Sequence, residues 1–376
     1  PYNSIFFCIF VRGKRKERNM ANWDKINQQT DNESIVQMQA PIIISASRST
    51  DIPAFYADWF FHRLKQGYSV WNNPFNPNAK LYISYKKTQF IVFWSKNPKP
   101  LLNYINELQK LNIGCYIQYS LNDYEEEKLE KNVPPINERI DTFKKLVDAL
   151  GKGSVIWRFD PLMLTDDIDI NKLLKKIENI GNQLKDYTEK LVFSFADISS
   201  YRKVKNNLTT SGIPYHEWTE KQMEEFASKL VKLNKEKGWN FKLATCGEKG
   251  NYLGIEHNHC IDDELIIRRS YHNKELMSFL KAEIKPLPTQ NLFGESLKLP
   301  ENAIILDNGY YAIRGNNKDK GQREFCGCIK SKDIGQYNTC IHMCEYCYAN
   351  VSKKVAVKNY NNHKNNPFSE MITGEI

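Results

Sequence analysis

Between Pro41 and Ala282, short β-branched or aromatic runs alternate with segments whose apolar residues recur at helical spacing. The runs Ile42 to Ser45, Ser69 to Trp71, Phe90 to Trp94, Cys115 to Ser120, Val155 to Phe159, Leu191 to Phe195 and Phe241 to Thr245 read as strands. Phe55, Trp59, Phe60 and Leu64 predict a helix that starts after Asp51, where Pro53 suits a first turn, and ends at Gly67. Leu101, Leu102, Ile105 and Leu108 mark a second helix that stops near Gly114, and Ile140, Phe143, Leu146, Val147 and Leu150 a third that ends at Gly151. Leu173, Leu174, Ile177 and Ile180 mark a fourth; Thr219-Glu220-Lys221-Gln222 is a capping-box start for a fifth through Met223, Phe226 and Leu230. Strand followed by helix, repeated this often, is the pattern of a parallel α/β sheet. It predicts a TIM-like parallel β/α barrel, partial or complete, over residues 41–282, with residues 1–40 as a poorly ordered N-terminal extension. Residues 283–376 are then a cysteine-rich segment that completes the barrel.

The predicted strands end in unusual polar or proline-rich sequences. These are Ser45-Ala46-Ser47-Arg48-Ser49-Thr50-Asp51, Asn72-Asn73-Pro74-Phe75-Asn76-Pro77, Ser95-Lys96-Asn97-Pro98, Arg158-Phe159-Asp160-Pro161 and Thr245-Cys246-Gly247-Glu248. Loops that follow parallel barrel strands gather at one mouth, where catalytic groups are built. Turn, cap or ion-pair chemistry explains any one of them; five together point to a shared site.

Composition adds bounds. The 376 residues are 41% hydrophobic and 26% charged, as in an ordinary globular protein, and no apolar run approaches the roughly 18 residues that span a bilayer. The apolar stretch from Ser4 to Val11 precedes its basic residues, the reverse of a secretory signal, and residues 1–19 read as an upstream extension; a cytoplasmic protein without membrane contact is expected. Lys plus Arg number 53 against 44 Asp plus Glu, and residues 314–364 hold ten basic and four acidic side chains. That excess suits an anionic substrate, nucleic acid included, and equally a solvated lysine-rich surface.

Seven of the nine cysteines stand from Cys246 onward, a clustering that favours metal over disulfides. Cys340, Cys344 and Cys347 have the spacing C-x3-C-x2-C, with Tyr346 just before the last. Three thiolates so placed hold three irons of a four-iron cluster and leave the fourth open to a ligand; a structural zinc site is the alternative. Subtracting the triad leaves Cys246, Cys260, Cys326 and Cys328, the complement of a second, closed 4Fe-4S cluster or of a tetrahedral zinc.

The C-x3-C-x2-C run resembles the motif of radical S-adenosylmethionine enzymes, whose open iron binds the amino and carboxylate groups of that cofactor. Asn-Pro-Phe-Asn-Pro at 73–77, Phe-Trp-Ser-Lys-Asn-Pro at 93–98, Trp-Arg-Phe-Asp-Pro at 157–161 and Cys-Gly-Cys at 326–328 together resemble the bacterial family of domain of unknown function 1848. Several of these pieces are also similar to the spore photoproduct lyase branch of radical S-adenosylmethionine proteins. There the three-cysteine loop comes directly after the first strand, whereas here it comes last, which suggests a circular permutation with Ile334 to Tyr337 as an early barrel strand and Ala349 to Tyr360 as the next helix. The resemblance implies a 4Fe-4S cluster, S-adenosylmethionine, a deoxyadenosyl radical and a reductant such as flavodoxin or ferredoxin. It also implies that Lys96, Arg158 and Asp160 act at the mouth, Lys96 as a cation for an anionic group, with Tyr346 beside the cofactor. The Gly-Gly-Glu element expected to grip the methionine amine is absent, and Asn73, Lys96 or Ser120 stand as replacements. Two rivals are a nucleic-acid-binding module braced by structural metal clusters, and a metal-dependent hydrolase that uses Asp51, Asp160 and Asp197.

Overall fold

The computed structural model describes residues 23–73, 76–288, 299–322 and 325–375, without the side chains of 73–79 and 308. Its centre is a sheet of eight strands: β1 (Ile43–Ala46), β2 (Phe90–Ser95), β3 (Gly114–Ser120), β4 (Val155–Leu162), β5 (Lys190–Phe195), β6 (Lys242–Thr245), β7 (Ile255–His257) and β8 (Lys332–Asp333). Every pairing is parallel, and the spatial order is β8-β1-β2-β3-β4-β5-β6-β7. The strands thus follow the chain except that the last one made lies beside the first. Among the described residues β7 and β8 each pair with one neighbour, so the sheet is open rather than a closed ring.

Alternation along the strands separates two faces. Ile44, Ile91, Phe93, Ile117, Tyr119, Val155, Trp157, Phe159, Leu191, Phe193 and Leu243 point to one side, where they bury against the apolar stripes of the crossover helices Ile136–Leu150, Ile170–Leu184 and Glu220–Glu236. The last begins with the expected box: Thr219 caps Gln222, whose side chain reaches back. On the opposite, inner face the first residues of the strands are apolar (Ile43, Phe90, Val92, Tyr116, Ile156, Val192, Ala244). Residues 260–329 cover this part with helices Asp263–Ser270 and Lys274–Phe279 and a small antiparallel sheet of Glu283–Pro286, Ala303–Ile305 and Tyr310–Ile313. Further along the same face Trp94, Ser120, Arg158, Asp160 and Cys246 replace the apolar residues and line a cavity of about 620 Å³.

Three expectations change. Residues Lys25–Gln29 and Ile35–Gln39 form an antiparallel hairpin, so 23–40 is not a loose extension; its polar alternation is that of a half-exposed sheet. Residues 1–22 lie outside the described residues. Ser69 to Trp71 belongs to Tyr68–Asn73, which pairs antiparallel with Asn76–Ser84 in this second, four-stranded sheet. A neighbour so close along the chain wins over the long crossover that a parallel partner demands. The helix after Asp51 is two pieces, Ile52–Phe55 and Ala57–Gln66, because Tyr56 leaves helical geometry and donates its hydroxyl to the carbonyl of Thr339 at 2.7 Å. Its predicted end holds: Gly67 takes φ of 84° and its N–H closes on Arg63 and Leu64. No helix among the described residues is long and apolar enough to cross a membrane.

Candidate active site

The cysteine triad follows β8 directly and packs against the loop after β1. Thr50 donates to the carbonyl of Gln336 at 2.7 Å and contacts the Thr339 hydroxyl at 2.7 Å, while Tyr348 donates to the Arg48 carbonyl at 2.7 Å. Asp51 is the hub of this seam. Its carboxylate accepts from Ala54 N at 3.0 Å, Ser95 Oγ at 2.6 Å and Lys96 N at 2.7 Å, and meets His342 Nε2 at 2.7 Å. Burial opposes its charge, yet His342, Ser95 and the Lys96 amide hold Asp51 below the usual carboxylate range.

A second buried anchor lies on the other side of the triad. Glu130 pairs with Cys344 in an isolated antiparallel bridge, and its carboxylate receives Lys96 Nζ at 2.7 Å, Asn122 Nδ2 at 3.2 Å and the Tyr346 hydroxyl. Lys96 Nζ also reaches the Tyr346 hydroxyl at 2.9 Å. Lys96 is therefore spent on the interior ion pair, where burial works against its charge and Glu130 and Cys344 hold it raised; the expected role of a cation offered to substrate does not fit this position. Glu345 completes the cradle, its buried carboxylate taking Lys131, Lys353 and Ser211 Oγ, each at 2.7 Å.

Burial pushes up the thiols of Cys340, Cys344 and Cys347, the cost that a positively charged centre would offset. All three line the cavity. Ser120, Arg158, Asp160 and Tyr346 line it too, whereas the side chain of Asn73 lies outside the described residues.

The other four cysteines line the same cavity. Cys246 Sγ and Cys260 Sγ are 3.3 Å apart, and Cys328 hydrogen-bonds both Cys260 and Cys326. Arg158 donates to Cys260 Sγ at 3.4 Å, Asn258 Nδ2 to the same sulfur at 3.1 Å, and Arg48 to Cys328 Sγ at 3.6 Å. Hydrogen bonds from Cys246 and Cys328, then Arg158 and Arg48, hold Cys260 well below the usual thiol range despite its burial. Arg158 also donates to Gln118 at 3.1 Å and to Asp160, which accepts from Ser194. Asn122 links Asp160 to the triad loop, accepting from Asp160 N at 2.8 Å and donating to the Tyr346 hydroxyl at 3.0 Å.

Among the described residues only His259, Asp262 and Asp263 bring three metal-liganding atoms wholly within 4.8 Å of one another. A single tetrahedral ion with bonds near 2.3 Å draws its sulfurs to about 3.8 Å apart. No three thiols of either group meet even the looser limit, although Cys246 and Cys260 are that close as a pair. Each group offers the donor set of a multinuclear cluster or of a zinc ion. Asp51, Asp160 and Asp197 do not all come within that 4.8 Å limit of one another, and each is engaged locally, Asp197 by Ser199 and Ser200.

Three polar groups of the site had no assigned role in the sequence. Asn122 and Glu130 fall in an acidic stretch that reads as a solvated loop, and Lys332 lies in a strand two residues long. Lys332 lines the cavity over the Trp71 ring at 4.2 Å and has no ion pair with a carboxylate among the described residues. Desolvation pulls it down to about 8, with Asp333 opposing.

The family model described as Domain of unknown function (DUF1848) matches residues 43–349, from β1 through the triad loop. The chain belongs to this family. No curated protein and no solved structure matches it. In this DUF1848 member the matched span contains both cysteine groups and each strand of the parallel sheet.

Proposed function

We propose that this protein is a radical S-adenosylmethionine enzyme. The observation that carries the reading is the place of the triad: a C-x3-C-x2-C loop follows an edge strand of a parallel sheet and opens into a cavity at the C-terminal ends of the strands. That is where the similar spore photoproduct lyase branch carries its loop, directly after the first strand. β8 lies beside β1, which supports reading the fold as a circularly permuted partial barrel. Cys340, Cys344 and Cys347 would hold a 4Fe-4S cluster, which supplies the electron that cleaves S-adenosylmethionine and yields a deoxyadenosyl radical.

The chain's own residues would do the rest. Asp51 and Glu130 fix the loop through His342 and Tyr346 and hold the three cysteines at the cavity, where they would bind the cluster. Trp71, Trp94, Met163 and Ile198, which line the cavity among its polar groups, would limit water around a reactive intermediate. Arg158 and Asp160 orient one another at the end of β4, and Ser120 stands at the end of β3 as a hydroxyl for the cofactor. Lys332, rather than Lys96, presents a cation to an anionic substrate. A low-potential flavodoxin or ferredoxin would be the electron donor.

The test is anaerobic incubation of the reconstituted protein with dithionite and S-adenosylmethionine, followed by analysis for deoxyadenosine. Deoxyadenosine formed in proportion to enzyme is the expected result. A protein loaded with iron and sulfide that leaves S-adenosylmethionine intact would overturn the reading.

A further inference from the structure

We propose that Cys246, Cys260, Cys326 and Cys328 form a second, closed site for a four-iron, four-sulfide cluster, with Arg48 and Arg158 as its charge partners. Four thiols from three separated segments meet at the boundary between the apolar and polar parts of the inner face, three of them buried and Cys246 half-buried. Cysteines that merely fill a core have no reason to share hydrogen bonds with one another and with two guanidinium groups. Four ligands leave no open coordination position, in contrast to the triad.

Charge balance points the same way. Four thiolates around an oxidised four-iron core leave about two negative charges, costly to hold out of water without nearby cations. Arg48 and Arg158 stand beside the sulfurs as cations, Arg158 shared with the Asp160 carboxylate. Both lie against Trp94, with guanidinium carbons 5.1 and 5.3 Å from its ring centre, so both are held by the ring as well as by the sulfurs.

The proposal stands apart from the triad reading, and its test is built to fail separately. Protein carrying Cys340→Ala, Cys344→Ala and Cys347→Ala is reconstituted anaerobically with ferrous iron and sulfide. The expected content is about four irons and four sulfides per chain. No iron, or one zinc in its place, would overturn the cluster. Should the triple variant not fold, the unmodified chain decides: about eight irons support two clusters, and about four that survive Cys260→Ser in full overturn the second. Arg48→Gln tests the charge partner by removing a cation beside the sulfurs, which should move the midpoint potential of this cluster to more negative values. An unmoved potential would strike Arg48 from the site. A chain whose triple variant holds iron while the unmodified protein makes no deoxyadenosine would sink the proposed function and leave this site standing.

Discussion

The triad and the quartet line one cavity, yet different charges meet them. The triad comes from eight consecutive residues braced by the carboxylates of Asp51 and Glu130, which bind the loop's frame rather than its sulfurs, while the loop's own Glu345 is tied to Lys131 and Lys353. The quartet is gathered from three segments, and its sulfurs are met directly by Arg48 and Arg158. A contiguous loop needs its backbone pinned if an open position is to face the cavity, whereas a scattered set needs its own charge balanced before it can close. Burial raises all three triad thiols, while Cys260 alone is drawn down.

The sharpest way to break this contrast is Cys344→Ala. Deoxyadenosine production should vanish, while iron bound by the quartet remains; retained cleavage would show that the triad is not the open site. Next in size is Glu130→Gln, which leaves Lys96 buried near Arg139 without its carboxylate. Breaking a buried pair by removing one partner costs about 3–5 kcal/mol, and denaturant unfolding should register a loss of that order. A change under about 1 kcal/mol would mean that the pair does not brace the loop.

Asp51 gives a pH signature. Its folded pKa is depressed, so its contribution is present above the unfolded value of about 3.9 and is lost as pH falls through the lower, folded one. Asp51→Asn should therefore flatten the acid limb of a stability-versus-pH curve while lowering stability at neutral pH. An acid limb of unchanged slope would remove Asp51 as the hub. The smallest effect is expected at Lys332, whose folded pKa of about 8 lies below the unfolded value of about 10.4. The unpaired cation weakens the fold below pH 8, and stability recovers as pH rises between the two values. Lys332→Met should thus raise the melting temperature at pH 7, with the gain shrinking toward pH 10, and a gain that is constant with pH would assign it to packing alone.

Periodicity made most of the parallel sheet readable, because Val155, Trp157 and Phe159 on β4, like their equivalents on neighbouring strands, need an apolar layer whatever lies around them. The triad was readable for a different reason: spacing in eight residues is itself geometry. β7 and β8, of three and two residues, are too short to carry a period. Tyr68–Asn73 has strand chemistry but its partner was decided by chain proximity, which composition does not record. Glu130 and Asn122 look solvated in the sequence and are buried only because the C-terminal loop lands on them from more than 200 residues away. Arg48 and Arg158 were visible as strand-end residues, but their stacking on Trp94 depends on register between β1, β2 and β4.

The position of β8 has a consequence for how the molecule is made. During synthesis the edge of β1 emerges well before its neighbour and stays without it until Lys332 and Asp333 have left the ribosome. An exposed strand edge invites pairing with other chains, and here a strand from much later in the sequence covers it. Gly335 marks the tightness of that late closure, since a methyl group there would stand 1.8 Å from Ser47 Oγ. Docking of this late segment covers the edge of β1 and brings the triad loop to the cavity together, so a product that stops before Lys332 exposes a sticky edge and lacks the triad cysteines.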